Sequence, residues 1–138
     1  MVEHLMVQQQ VKSPWQHMVG VICLNLTNRK QVKAVLPKLF KKYPNPIKFI
    51  RGDSKTQAKI LAPLGMVNVR LKRLKHMSLD MLTWDYKDAT KLYGIGKYGS
   101  DSYRIFYKNE TPKNITDKEL KRYINDKRTT RRHKKIKR

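Results

Sequence analysis

Apolar positions recur every three or four residues along most of this chain, and strand-like alternation is almost absent, so the pattern predicts helices. In SPWQHMVGVICLNL, Trp15, Met18, Val19, Ile22 and Leu26 repeat at helical spacing. Ser13 stands before them as an N-cap and Pro14 takes the first helical position, where a missing N–H costs nothing. That segment reads as a buried helix. Asn28 caps a second, whose Val32, Val35, Leu36, Leu39 and Phe40 form one stripe; Pro37 is expected to kink it and YPNP at 43–46 to end it. A third helix is expected to start near Ser54, with Gln57 in capping-box spacing, and to stop at Pro63 to Gly65. VRLKRLKHMSLDML puts Leu71, Leu74, Met77, Met81 and Leu82 on one side, with Arg70, Lys72, Arg73 and Lys75 around the rest. A short helix over 86–92, one over 98–106, and a last one carrying Leu120, Tyr123 and Ile124 behind a Thr116–Glu119 capping box complete an all-α domain.

Composition narrows what such a domain does. The 138 residues suit one compact domain, expected over 1–126, with a basic tail over 127–138. Lys and Arg number 32 against 10 Asp and Glu, a net charge of +22 that calls for a polyanionic partner. Eight of the cations stand in the last twelve residues, KRTTRRHKKIKR, with no acid among them: the composition of a disordered arm and of a nuclear import signal. Without them, 24 cations still face the same 10 acids, so +14 belongs to residues 1–126. Cys23 is the only cysteine, which excludes an intrachain disulfide and any thiolate cluster for zinc or iron–sulfur. The apolar run around Val19 to Leu24 falls far short of the roughly 20 residues that cross a bilayer, and the start lacks a signal-peptide pattern, so a soluble protein is expected. His17 and His76 read as core or surface histidines and receive no ligand role.

One stretch carries candidate chemistry. LYGIGKYGSDSYRIF, residues 92–106, sets Gly94 and Gly96 one residue apart between two helical segments, with Lys97 and Tyr98 directly after. Glycines there permit positive φ and close approach. The first amides of the following helix lack an intrahelical acceptor and carry the positive end of its dipole, which suits a phosphate. The plainer alternative makes Gly94 a helix C-cap and Gly96 a loop residue; Lys97 and the surrounding +14 favour the phosphate. Histone-like packaging proteins and ribosomal proteins are equally basic, so charge alone does not choose among nucleic-acid binders.

The same stretch resembles the helix-hairpin-helix of the DNA glycosylase superfamily, and within it the glycosylase-domain family of methyl-CpG-binding domain protein 4. The run is Gly-Ile-Gly-Lys-Tyr-Gly, then Asp-Ser-Tyr-Arg-Ile-Phe one residue later. Pro14-Trp15, Leu24-Asn25 with Thr27, Lys42-Tyr43-Pro44, Pro63-Leu64-Gly65 and Arg70 stand in the same order, so the likeness covers residues 4–125. It implies an all-α, two-lobed fold with a DNA-binding cleft. It also implies removal of thymine or uracil mispaired with guanine from double-stranded DNA, by hydrolysis of the N-glycosidic bond, in the nucleus, by a monomer that uses no metal or redox cofactor.

Such a reaction requires the nucleotide to be rotated out of the duplex, which a mispair makes cheaper. As the base leaves, C1′ gains oxocarbenium character, and a fixed carboxylate stabilises that charge and orients or deprotonates water. The resemblance puts this acid at Asp117, in ITDKEL; the alternative is an Asp that sits in a helix's first turn behind a Thr116 cap. Asp101 matches a structural acid. Bifunctional members carry lysine where this chain has Tyr98, which implies a monofunctional enzyme; otherwise Tyr98 is a half-buried helix residue. Gly94, Ile95, Gly96, Lys97 and Gly99 form the implied DNA-binding hairpin. Where relatives have an arginine finger in Leu-Asn-Arg-Thr, this chain has Leu26, an apolar wedge with Arg29 close by to supply charge. Met66 takes the place of a second wedge, or is a core methionine. A base-reading glutamine falls at Val7, with Gln8 adjacent. Two other classes stay open: a hairpin DNA-binding module without catalysis, and a basic RNA-binding protein.

Overall fold

A computed structural model describes residues 11–118 and 120–125; Val7, Gln8, Glu119 and the basic tail lie outside them. The described residues contain helices and no strand. α1 runs Pro14–Leu24, α2 Arg29–Lys42, α3 Pro46–Arg51, α4 Ser54–Leu61, α5 Val67–Met81 and α6 Lys97–Tyr107, with 3-10 turns at Ala62–Leu64 and Ala89–Lys91. Residues 118 and 120–125 belong to α7. No described helix is long and apolar enough to cross a membrane.

α1 packs against α2, α5 and α6. Ser13 accepts the Gln16 amide at 3.2 Å and Pro14 opens the helix, as the sequence predicts, and every residue from Trp15 to Cys23 is buried. Each fully buried aliphatic side chain contributes about 1.5–3 kcal/mol, and Met18, Val19 and Ile22 supply α1's share of that gain. α5 lies against it through a polar tie as well as apolar contact: Trp15 Nε1 donates to Ser78 Oγ at 2.9 Å, and Ser78 Oγ donates to the Leu74 carbonyl at 2.6 Å. α2 buries Val32, Val35, Leu36 and Leu39, and it continues through Pro37, which sits on the exposed side.

Several boundaries differ from expectation. YPNP ends α2 but also starts α3: Asn45 accepts the Lys48 amide at 2.9 Å, Pro46 follows, and Phe49 is fully buried. A six-residue helix with one buried side chain has too little periodicity to be read beforehand. α4 is capped by Asp53, which accepts the Thr56 amide at 2.9 Å, rather than by Ser54. Gln57 completes no capping box; it is buried and donates to the Phe49 carbonyl at 2.7 Å. The expected helix over 86–92 reduces to the 3-10 turn Ala89–Lys91, because Tyr86 takes a left-handed φ of 64°. On α5, Leu74, Met77 and Met81 are buried as expected, whereas Leu82 is half exposed and Arg70 is only 3% exposed.

Candidate nucleic-acid interface

The hairpin is built on Leu92 and Ile95, which are buried in the main core. The Ile95 amide donates to the Leu92 carbonyl at 3.1 Å, and Gly94 makes the reversal with φ of 80°, a conformation other residues adopt only under strain. Gly96 is the N-cap of α6 and supplies no side-chain cap, so the helix begins with amides that geometry leaves without an intrahelical acceptor. A Cβ built at Gly96 meets no atom within 4 Å, so this end of the helix faces open space. Gly99 is different in kind. A Cβ there would lie 2.6 Å from Ile95 Cγ2 and 3.1 Å from Val21 Cγ1, so Gly99 lets α6 approach α1, and Ile95 anchors the turn from below. What these two residues can offer a ligand is therefore backbone. Lys97 Nζ is 2.8 Å from Asp101 Oδ2 one helical turn on.

Tyr98 is half-buried and packs against both hydrophobic clusters of the molecule, the main core and a smaller one built on Ile105 and Leu120. Ile115 and Leu120, which flank Asp117 in the sequence, belong to that smaller cluster together with Phe106 and Tyr123. The carboxylate of Asp117 accepts the Leu120 amide at 2.9 Å through Oδ2, while the Lys121 amide donates to its carbonyl at 3.1 Å. Asp117 is thus itself the residue that caps α7, one place beyond the expected Thr116.

Two further sequence candidates stand on turns. Leu26, between α1 and α2, is 79% exposed with φ of 56°; Met66, at the N-terminus of α5, is 52% exposed with φ of 47°. Met66 is therefore no core methionine. Both turns converge on Arg70. Its Nε donates to the Gly65 carbonyl at 2.9 Å, Nη1 to Asn25 at 2.7 Å and Cys23 at 3.1 Å, and Nη2 to Leu26 at 3.4 Å. Arg70 lies inside rather than on the expected polar side of α5 because it stands four residues before Leu74, in register with Met77 and Met81, the place of a core residue. Arg29 opens α2 on the exposed surface three residues after Leu26. Among the described residues no group of three His, Cys, Asp or Glu side chains could hold a metal ion.

No protein-family model matches the chain. It is 28% identical over 103 residues to the methyl-CpG-binding domain protein 4-like protein of Arabidopsis thaliana, covering 75% of this chain and 23% of that one. It is also 28% identical over 94 residues to the thymine/uracil-DNA glycosylase of Pyrobaculum aerophilum, covering 63% of this chain and 41% of that one. The chain thus spans less than half the length of these curated relatives. Among solved structures it matches a thermostable thymine-DNA glycosylase with a TM-score of 0.70 at 19% identity, over 77% of this chain and 52% of the other. A trapped endonuclease III–DNA covalent intermediate matches with a TM-score of 0.59 at 16% identity, over 66% and 46%.

Proposed function

For a chain that is related in sequence to DNA glycosylases and carries the helix-hairpin-helix fold of that superfamily, we propose a monofunctional enzyme that removes thymine or uracil mispaired with guanine from double-stranded DNA. The observation that carries the reading is the small cluster around Leu120. It gathers Tyr98, in the first turn of the hairpin's second helix, and Ile115 and Leu120, on either side of Asp117, into one cluster, which supports a phosphate-binding turn and an acid carried on one body.

In this reading the amides beyond Gly96 hold a backbone phosphate, with Lys97 beside them, and the target nucleotide swings out of the stack. Leu26 and Met66 enter the space it leaves, with Arg29 near the strand. One carboxylate oxygen of Asp117 accepts the Leu120 amide, and in this reading the other is left to face C1′ and the attacking water. A negative group held there favours the developing oxocarbenium charge, and it costs no reorganisation when the bond breaks. Tyr98, a phenol where bifunctional enzymes have an amine, forms no Schiff base, so the product is an abasic site in an intact strand. The likeness to the Arabidopsis thaliana protein and the basic composition of residues 127–138 support action in the nucleus.

The test separates the two jobs of Asp117. Asparagine caps helices as well as aspartate does, so Asp117→Asn keeps α7 and removes only the charge. Incubated with G·T or G·U duplexes and then treated with alkali, the variant is expected to bind as the wild type does, with base release reduced on the order of 10²–10⁴-fold. Unchanged release would place the acid elsewhere. A second reading, a hairpin DNA-binding module without catalysis, is favoured by two observations: the cap alone gives a structural reason for an acid at 117, and Leu26 brings no charge to a flipped nucleotide. That reading requires wild-type protein to yield no alkali-labile product. An RNA-binding protein would prefer structured RNA over duplex in competition at matched salt.

A further inference from the structure

We infer that Arg70 is a positioning residue that locks the turns bearing Leu26 and Met66 into one two-pronged apolar wedge, so that strand opening depends on its guanidinium as much as on either prong. The inference rests on the DNA reading proposed above. Three observations converge on it. Leu26 and Met66 are large apolar side chains left mostly in solvent, against the normal drive to bury them. Both have left-handed backbones, at φ of 56° and 47°, where a non-glycine residue costs about 1–2 kcal/mol and persists only when its surroundings impose it. And one buried side chain touches the backbone of both turns: Arg70 donates to Gly65, directly before Met66, and to Cys23, Asn25 and Leu26 at the end of α1.

The chemistry suits arginine alone. The carbonyls closing α1 lack intrahelical donors and form the negative end of its dipole. A planar fork with donors on several edges reaches them and the Gly65 carbonyl together, whereas an ammonium is a single point of donation. Arg70 therefore joins two turns that are about 40 residues apart in the chain and sets the spacing of their side chains. Because the guanidinium is buried by its own carbonyl partners, it is not available as a phosphate contact.

That last point makes the role measurable. A G·T duplex carrying 2-aminopurine beside the mispair reports unstacking as a rise in fluorescence on binding. Wild-type protein is expected to produce the rise. Arg70→Lys is expected to bind with the same dependence of affinity on salt, since no phosphate contact is removed, but with the rise cut by about tenfold. Full fluorescence in Arg70→Lys, or a shallower salt dependence, overturns the inference. No rise with the wild type removes the wedge reading itself, and this inference with it. Should Arg70→Lys not fold, a cycle in the wild-type background decides: Leu26→Ala, Met66→Ala and the double variant. A locked pair is expected to fail as a unit, each single change costing nearly as much fluorescence as both together. Independent effects that multiply would overturn the lock.

Discussion

Gly96 and Gly99 stand three residues apart in one motif and have opposite physical reasons for being glycine. At Gly96 a methyl group meets nothing and φ is −109°, which alanine tolerates, so only an approaching ligand needs the space. At Gly99 the methyl collides with Ile95 and Val21, so the core needs the space. Gly96→Ala is expected to cost no more than about 0.5–1 kcal/mol of stability, because alanine is a poorer N-cap than glycine and the stiffer unfolded chain offsets part of that loss, while weakening duplex binding. Gly99→Ala is expected to destabilise by about 1–3 kcal/mol by overpacking. Urea melts paired with binding assays check both; equal loss of stability in the two variants would contradict the distinction. Asp117 shows the same doubling of roles in one side chain. Its carboxylate holds α7 whatever else it does, so Asp117→Ala is expected to lower stability by about 1 kcal/mol where Asp117→Asn does not.

At the scale of elements, the contact between α1 and α6 fixes the hairpin to the core, and it contains a titratable group. His17 is fully buried, its Nε2 lies 2.8 Å from Ser102 Oγ, and Phe106 and Tyr107 pack on its ring. Burial lowers its pKa from the ordinary 6.5 to about 3. The folded protein therefore keeps His17 neutral while the unfolded chain binds a proton near pH 6.5. Stability from this site is complete above 6.5 and is lost as pH falls toward 3. By pH 5 the loss is about 2 kcal/mol. Thermal unfolding from pH 7 to pH 5 is expected to show it, and His17→Gln, which keeps an amide donor but cannot titrate, is expected to flatten that part of the profile. A slope unchanged in His17→Gln would assign the pH dependence to other groups. This polar contact was not legible beforehand: an isolated His on an apolar helix reads as core, but which partner it meets depends on how α6 crosses α1, 85 residues away.

For the whole molecule, 32 cations against 10 acids predict a strong electrostatic component in any nucleic-acid complex. Plotted as log affinity against log salt, duplex binding should fall linearly, with a slope of about −0.9 for each phosphate neutralised. Titrations at several salt concentrations test this; a flat line would remove nucleic acid as the partner. The chain alone determined the places where local physics suffices. Helical spacing with Ser13, Pro14 and Asn28 marked α1 and α2 because caps and periodicity act within a few residues. Gly94 marked the hairpin because only glycine takes that reversal freely. Tertiary structure decided which acceptors meet Arg70 at its interior position and how far Leu26 and Met66 stand in solvent. The reason is that carbonyls of two turns distant in the chain converge on one guanidinium, and a buried charge is tolerated only where its donors meet acceptors.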